Sequence, residues 1–175
     1  MIFVAGLSKS GKTRTLHAAV DGMSDVQHVI ASDLLKSAGK TLQPEGLNQV
    51  HENQRILLDL LLSIDLDAEQ EAIIDGHFII ETGNDAVDVP EWFFERLRPA
   101  AIVVVDDPSA AFLARRRGTR FADAPDAVAT LRARELDRAE QIAHLLGVPL
   151  VSIRSGEIAA MRSAIERFRK AKASH

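Results

Sequence analysis

Apolar runs of strand length alternate with segments of helical period from one end of the chain to the other. Ile2–Ala5 is a short run of β-formers that ends at a glycine-bounded loop, and helix formers follow from about Gly11 to Asp21. Val26–Ala31 reads as a second strand, after which Ser32 and Asp33 offer N-cap oxygens to a short helix over Leu34–Ala38. Between Leu47 and about Leu66, Val50, Ile56, Leu57, Leu60, Leu61 and Ile64 recur at helical spacing and predict one long helix. Glu71–Ile74 is a buried-type strand running into Asp75-Gly76-His77, and Pro90–Leu97 is a short helix. Ala101–Val105, the most continuous β-branched run, ends at Asp106-Asp107-Pro108. Helices then follow over Ser109–Arg117 and Asp126–Leu146, the second closed by Gly147 and Pro149. Leu150–Ile153 is a last strand, and Glu157–Ala171 a C-terminal amphipathic helix.

Five apolar strands separated by helices predict an α/β fold: a parallel, doubly wound sheet covered on both faces. No repeat, low-complexity stretch or linker divides the chain, so its 175 residues form one expected domain. Lys170, Lys172, Ser174 and His175 read as a frayed end.

Composition narrows the function. Hydrophobic residues make up 46% and charged residues 26%, an ordinary balance for a soluble domain. The formal net charge of -4 argues against general binding of nucleic acid or of an anionic membrane, so neither is an expected partner. The absence of cysteine removes disulfides, thiolate catalysis and Cys-ligated metals. The N-terminal apolar run lacks a basic flank and passes directly into a loop motif, unlike a signal peptide. No apolar run has the length of a membrane span, and the expected location is cytoplasmic.

Gly6-Leu7-Ser8-Lys9-Ser10-Gly11-Lys12-Thr13 fits the phosphate-loop pattern G-x-x-x-x-G-K-(S/T) without a mismatch. The glycines let the backbone turn tightly and aim successive N–H groups at one anion. The helix from Gly11 brings its positive end to the same point. Lys12 is positioned for the β- and γ-phosphates of ATP, and Thr13 for Mg²⁺. The bland alternative is a chance glycine-rich turn, which the preceding strand and following helix disfavour. Ser8, Lys9 and Ser10 join the nucleotide-binding candidates, as does Arg154 at the end of the last strand.

Asp75 ends the third strand, and ligands of open α/β sheets collect at the carboxyl ends of strands. Asp75 is therefore the candidate to complete the Mg²⁺ site with Thr13. Asp106 and Asp107 compete for that role but suit turn and capping chemistry ahead of Pro108. His77 is either a phosphate or acceptor contact or a histidine bonded within its loop. Asp33, after the second strand, is a candidate base or acceptor ligand, against the simpler reading of a helix cap.

Arg115, Arg116, Arg117 and Arg120 crowd one segment, with Arg132, Arg134 and Arg138 beyond it. Arg116 and Arg120 share a helical face at i,i+4, while Arg115 and Arg117 point elsewhere. The first pair suits neutralisation of a transferring phosphoryl group, with Gly118-Thr119 as a hinge. The later arginines suit a solvated face answered by Glu135, Asp137 and Glu140.

Together, the phosphate loop, IIDGH ending at His77, the strand after Arg98-Pro99, and ARRRGTRFAD leading to LRARE resemble the archaeal-type adenylate kinases, within the adenylate-kinase-like P-loop kinases. The resemblance covers about residues 1–155. It implies a three-layer sandwich with a five-stranded sheet of order 2-3-1-4-5. It also implies an acceptor-binding helical insert near 33–66, an arginine lid near 115–125, and use of ATP with Mg²⁺. Carried over by position, Lys12 and Thr13 take phosphate-loop roles, Asp75 the Mg²⁺ side, Arg116 and Arg120 the lid, and Gln54 the acceptor-side glutamine.

Two features depart from that family: the inner Lys9 of the loop, and the acidic Asp33. A carboxylate at 33 repels a monophosphate but suits a hydroxyl acceptor, and the Ser32-Asp33 placement looks like shikimate- and gluconate-type kinases. The expected function is thus a small-molecule kinase, monomeric or homodimeric, acting on a nucleoside monophosphate or a hydroxylated metabolite. The alternative is a nucleotide-operated switch. A GTPase is disfavoured because no N-K-x-D base-recognition pattern is present.

Overall fold

The computed structural model describes residues 1–65, 70–82, 85–116 and 125–173. Its central sheet contains β1 (Ile2–Ala5), β2 (Val26–Ile30), β3 (Glu71–Asp75), β6 (Ala101–Asp106) and β7 (Leu150–Arg154). A hairpin of β4 (Ile79–Glu81) and β5 (Ala86–Asp88) stands apart from it. The helices are α1 (Lys12–Val20), α2 (Ala31–Ser37), α3 (Leu47–Leu62), α4 (Glu91–Leu97), α5 (Ala110–Arg115), α6 (Pro125–Leu146) and α7 (Ile158–Ala173).

The sheet order is β2-β3-β1-β6-β7, with every pairing parallel. Counting the strands of this sheet alone gives 2-3-1-4-5, the expected α/β sandwich. Alternation along β1 divides the core. Ile2 and Val4 face Leu16 of α1 and Met161, Ile165 and Phe168 of α7. Phe3 and Ala5 face Leu57, Leu58 and Leu61 of α3, Phe93 and Phe94 of α4, and Ala139 and Ile142 of α6. On that side Phe3 meets Phe94 edge-on at 5.2 Å and Phe78 at 5.3 Å. A smaller apolar cluster joins Leu7 of the phosphate loop to Ile79 and Ala86 of the hairpin, Phe112 of α5, and Val128 and Leu131 of α6.

Three local details differ from expectation. The hairpin was not anticipated, because strands of three residues are too short to reveal a period. Thr82 closes it on the described side, its N–H reaching the Asp85 carbonyl at 2.7 Å. Helix α2 begins at Ala31 with Ile30 as its N-cap, so Ser32 and Asp33 lie in its first turn and do not cap it. The long helix also stops at Leu62, short of Leu66. No helix among the described residues is long and apolar enough to cross a membrane.

Candidate functional site

The phosphate loop links β1 to α1 through backbone conformations that side chains resist. Gly6 has φ +152° and Gly11 φ +88°; a Cβ on Gly6 would stand 2.4 Å from the Val105 carbonyl oxygen, and one on Gly11 2.3 Å from Ser155 Oγ. Lys9 adopts φ +67° despite its side chain, a conformation that costs about 1 kcal/mol or more. The Ser10 N–H closes a turn onto the Leu7 carbonyl at 3.0 Å. No side chain caps the start of α1 and its first turn holds no acid, so its leading amides and positive pole remain available to an anion.

At the carboxyl end of β3, Asp75 lies in register with Val4 of β1 and Ile30 of β2. Lys12, only 5% exposed, forms a buried ion pair with Asp75 Oδ1. Asp75 Oδ2 is buried without a hydrogen-bond partner, and His28 Nε2 stands 3.6 Å from it. Burial alone would raise the Asp75 pKa. His28, the Lys12 charge and hydrogen bonds from Lys12 and Thr13 outweigh it and hold the carboxyl well below the usual range. An ionised carboxylate with an orphaned oxygen, beside the exposed Thr13, is a hard-oxygen donor set that fits Mg²⁺. Among the described residues no group of three or more His, Cys, Asp or Glu forms a metal cage, so phosphate oxygens and waters would have to complete the coordination.

His77 follows in the same loop. Burial and the Lys12 charge push its imidazole down to about 3 against the opposing pull of Asp75, so it is neutral near pH 7. It can therefore exchange hydrogen bonds with a ligand but offers no positive charge.

The competing carboxylates hold structural partners. Asp107 accepts from the Ser109 N–H at 2.9 Å ahead of α5, in keeping with a turn role. Asp106 takes a two-point contact from Arg132 at 2.8 and 2.6 Å.

The arginines are placed differently from expectation. Arg116 is 0% exposed: Nη1 and Nη2 grip Glu81 at 3.0 and 2.6 Å, and Nη1 also donates to the Ser8 carbonyl at 3.2 Å. Arg115, expected to point elsewhere, reaches the Lys9 carbonyl at 3.0 Å and Asp107 at 2.5 Å. Arg117, Gly118, Thr119 and Arg120, with most of the expected lid, lie outside the described residues.

The face of α6 is not merely solvated. Arg134 pairs with Asp88 at 2.8 Å and Arg138 with Glu91 at 3.1 Å. Glu135 is 2% exposed and accepts from the amides of Gly6 at 3.1 Å, Phe78 at 3.0 Å and Ile79 at 2.8 Å. Burial pushes its pKa up to about 7, against the downward pull of these amides and of Lys12. Sequence reasoning missed this role, although Glu135 falls on the apolar stripe that includes Val128, Leu131, Ala139 and Ile142. An acid on such a stripe is the signal that could have identified it.

The structure thus gathers Lys12, Thr13, Asp75 and His77, with His28 as an unforeseen neighbour. Ser8 and Lys9 are exposed on the loop, and Ser10 is buried with an unpartnered hydroxyl. Ser10 lines a cavity of about 190 Å³ with Leu7, Asp106, Phe112, Arg132 and Glu135. Asp33 lies at the surface and pairs with Lys36 at 3.0 Å, whereas Gln54 is buried on α3. Arg154 is exposed beside Asp106 in the strand register, its N–H bonded to Glu157 at 3.1 Å.

Solved structures share this architecture. A gluconokinase from Sinorhizobium meliloti 1021 aligns with a TM-score of 0.56 at 14% identity, over 99% of this chain and 93% of that one. A shikimate kinase from Bacteroides thetaiotaomicron aligns with a TM-score of 0.54 at 13% identity, over 97% of each chain. At such identities the likeness concerns the fold. No curated protein matches the chain. Residues 5–132, from the end of β1 through the phosphate loop, Asp75 and the arginine segment into α6, match a family model described as AAA domain, and the protein belongs to that family.

Proposed function

We propose that the protein is an ATP-dependent kinase that transfers the γ-phosphoryl group to a small molecule, either a nucleoside monophosphate or a hydroxylated metabolite. The observation that carries this reading is the meeting of Lys12, Thr13 and the ionised Asp75 beside an uncapped helix start. Gluconokinase and shikimate kinase, whose folds this chain shares, act on hydroxylated acids, and Asp33 suits a hydroxyl acceptor.

In this reading the loop amides other than those of Gly6 and Ser10, which bond within the protein, cradle the phosphates, and the Lys12 ammonium neutralises their charge. Thr13 and Asp75 would hold Mg²⁺, which when bound spreads the charge of the transferring group. Neutral His77 orients phosphate or acceptor by hydrogen bonding, and Arg154 borders the nucleotide side. Asp33 takes the acceptor's proton or binds the acceptor, and Gln54 belongs to the acceptor-side segment over 33–66. Arg120 is the remaining candidate of the 115–125 lid for a contact to the phosphoryl group.

An ATP-consumption screen over nucleoside monophosphates, nucleosides and hydroxylated metabolites tests this. One acceptor class should raise turnover well above the basal rate. A slow, acceptor-independent hydrolysis that no compound stimulates would instead favour a nucleotide-operated switch, a reading to which the contacts between loop and hairpin also lend themselves.

A further inference from the structure

Three backbone groups of the phosphate loop are held by side chains from more than one hundred positions away. The Gly6 N–H goes to Glu135, the Ser8 carbonyl to Arg116 and the Lys9 carbonyl to Arg115. Each arginine is in turn fixed by a carboxylate from another element: Arg116 by Glu81 of β4, and Arg115 by Asp107 after β6. The pattern is the same twice. A guanidinium anchored on an acid delivers an N–H to a loop carbonyl, and the two carbonyls are consecutive.

A trans peptide carries its C=O and N–H on opposite sides. Fixing the Ser8 carbonyl therefore fixes the direction of the Lys9 N–H, and fixing the Lys9 carbonyl sets the next peptide, whose Ser10 N–H closes the turn onto Leu7. The Lys9 amide lies in the stretch that cradles an anion, and Lys9 is the residue held at φ +67°. Two ionised pairs thus stabilise a backbone shape that the chain does not favour by itself. The apolar contact of Leu7 with Ile79, Phe112 and Leu131 seals the same seam.

We propose that Arg116 and Arg115, anchored by Glu81 and Asp107, are paired carbonyl clamps that preorganise the phosphate loop for ATP. They are positioning residues, and Arg116 contributes to nucleotide affinity through Ser8 rather than by touching the transferred group. The buried pair, Arg116 with Glu81, carries more of the effect than the half-exposed Arg115. The inference rests on the loop being an ATP site and not on the identity of the acceptor.

Titration calorimetry with Mg-ATP on the full chain tests it, using Glu81→Gln, Arg116→Lys and the double variant, each checked by thermal denaturation. Glu81→Gln is nearly isosteric and removes only the charge that anchors the clamp. It should weaken Mg-ATP binding about tenfold or more, as loss of a hydrogen bond to a charged group does. Arg116→Lys should do the same, and the double variant should be little worse than either single one. Asp107→Asn should weaken binding less than Glu81→Gln. Turnover at saturating ATP should change far less than affinity. The opposite pattern, with affinity unchanged or tighter in Glu81→Gln and turnover collapsed in Arg116→Lys, overturns the proposal and returns Arg116 to the transferring group. If Arg116→Lys does not fold, Glu81→Gln decides through affinity alone. A wild type that binds Mg-ATP yet phosphorylates nothing defeats the kinase reading but leaves this test intact.

Discussion

The surroundings of the phosphate loop and the α2–α3 segment, proposed here as the acceptor side, are stabilised by different means. Around the loop, Lys12, Asp75, Arg116 and Glu135 are all at most 5% exposed, and each is tied to another element. In the second region, α2 and α3 pack through Leu35, Leu57, Leu58 and Leu61, while Asp33 and Lys36, and Lys40 and Glu52, pair at the surface. Burying ions costs free energy that their mutual attraction only partly offsets, so buried pairs are weak evidence for stability. What they fix here is geometry: they hold backbone amides and a carboxylate in place before a ligand arrives. Solvated pairs fix little and are free to exchange partners with a ligand. In the proposed reading, the nucleotide side is preset and the acceptor side adaptable.

The sharpest way to break this contrast is to empty one buried pair. Lys12 was readable from sequence as a phosphate ligand, but its burial against Asp75 was not. Lys12→Ala should therefore abolish Mg-ATP binding and also cost about 3 kcal/mol or more of stability, because it strands a buried carboxylate. Adding Asp75→Asn should recover much of the stability and none of the affinity. Urea denaturation beside calorimetry separates the two losses, and an unchanged denaturation midpoint in Lys12→Ala would show that the pair is not buried as described.

Titration of the buried Glu135 and the half-buried His77 sharpens the contrast further. Glu135 titrates at about 7 in the folded chain against an ordinary 4.5, so the folded state retains a proton that the unfolded state has released. Its contribution makes stability fall as pH rises between those values, and the cost persists above them. His77 acts in the opposite sense. Folded at about 3 against an ordinary 6.5, it stays neutral where the unfolded chain is charged, so its contribution rises with pH across that window and is lost as pH falls. Glu135→Gln should steepen the rise of stability from about pH 4.5 to 7, and His77→Gln should flatten or reverse it. Each effect is on the order of 3 kcal/mol, read from denaturation midpoints across that range. Parallel profiles in both variants would contradict the burial assigned to these groups.

The smallest effect is expected on the adaptable side. Asp33→Asn removes an exposed i,i+3 pair and should change stability by no more than about 0.5 kcal/mol. Its effect should fall on acceptor KM or turnover, with ATP affinity retained. A loss of ATP affinity would place Asp33 on the nucleotide side.

The difference between the two regions also explains what was legible in the sequence. The phosphate loop is contiguous, so Gly6, Gly11, Lys12 and Thr13 could be read from spacing, and Asp75 from its place at the end of an apolar strand. The parallel sheet followed from the apolar strand-length runs, and its order from the family resemblance alone. The clamps could not be read in this way. Ser8 and Arg116, or Gly6 and Glu135, are brought together by the fold, and no local period encodes such pairs. The hairpin that supplies Glu81 has strands too short to announce themselves. Arg116 was legible as important but not as buried, because a cluster of four arginines looks solvated until its acids are located.

The central claim, transfer to a small acceptor, is tested most directly by following the γ-phosphoryl group of labelled ATP in single-turnover reactions with the stimulating acceptor. Wild type should place the label on the acceptor. Asp75→Asn should bind Mg-ATP within about tenfold of wild type but transfer label on the order of a hundredfold more slowly. Label released only as inorganic phosphate, at a rate indifferent to every acceptor, would contradict the account.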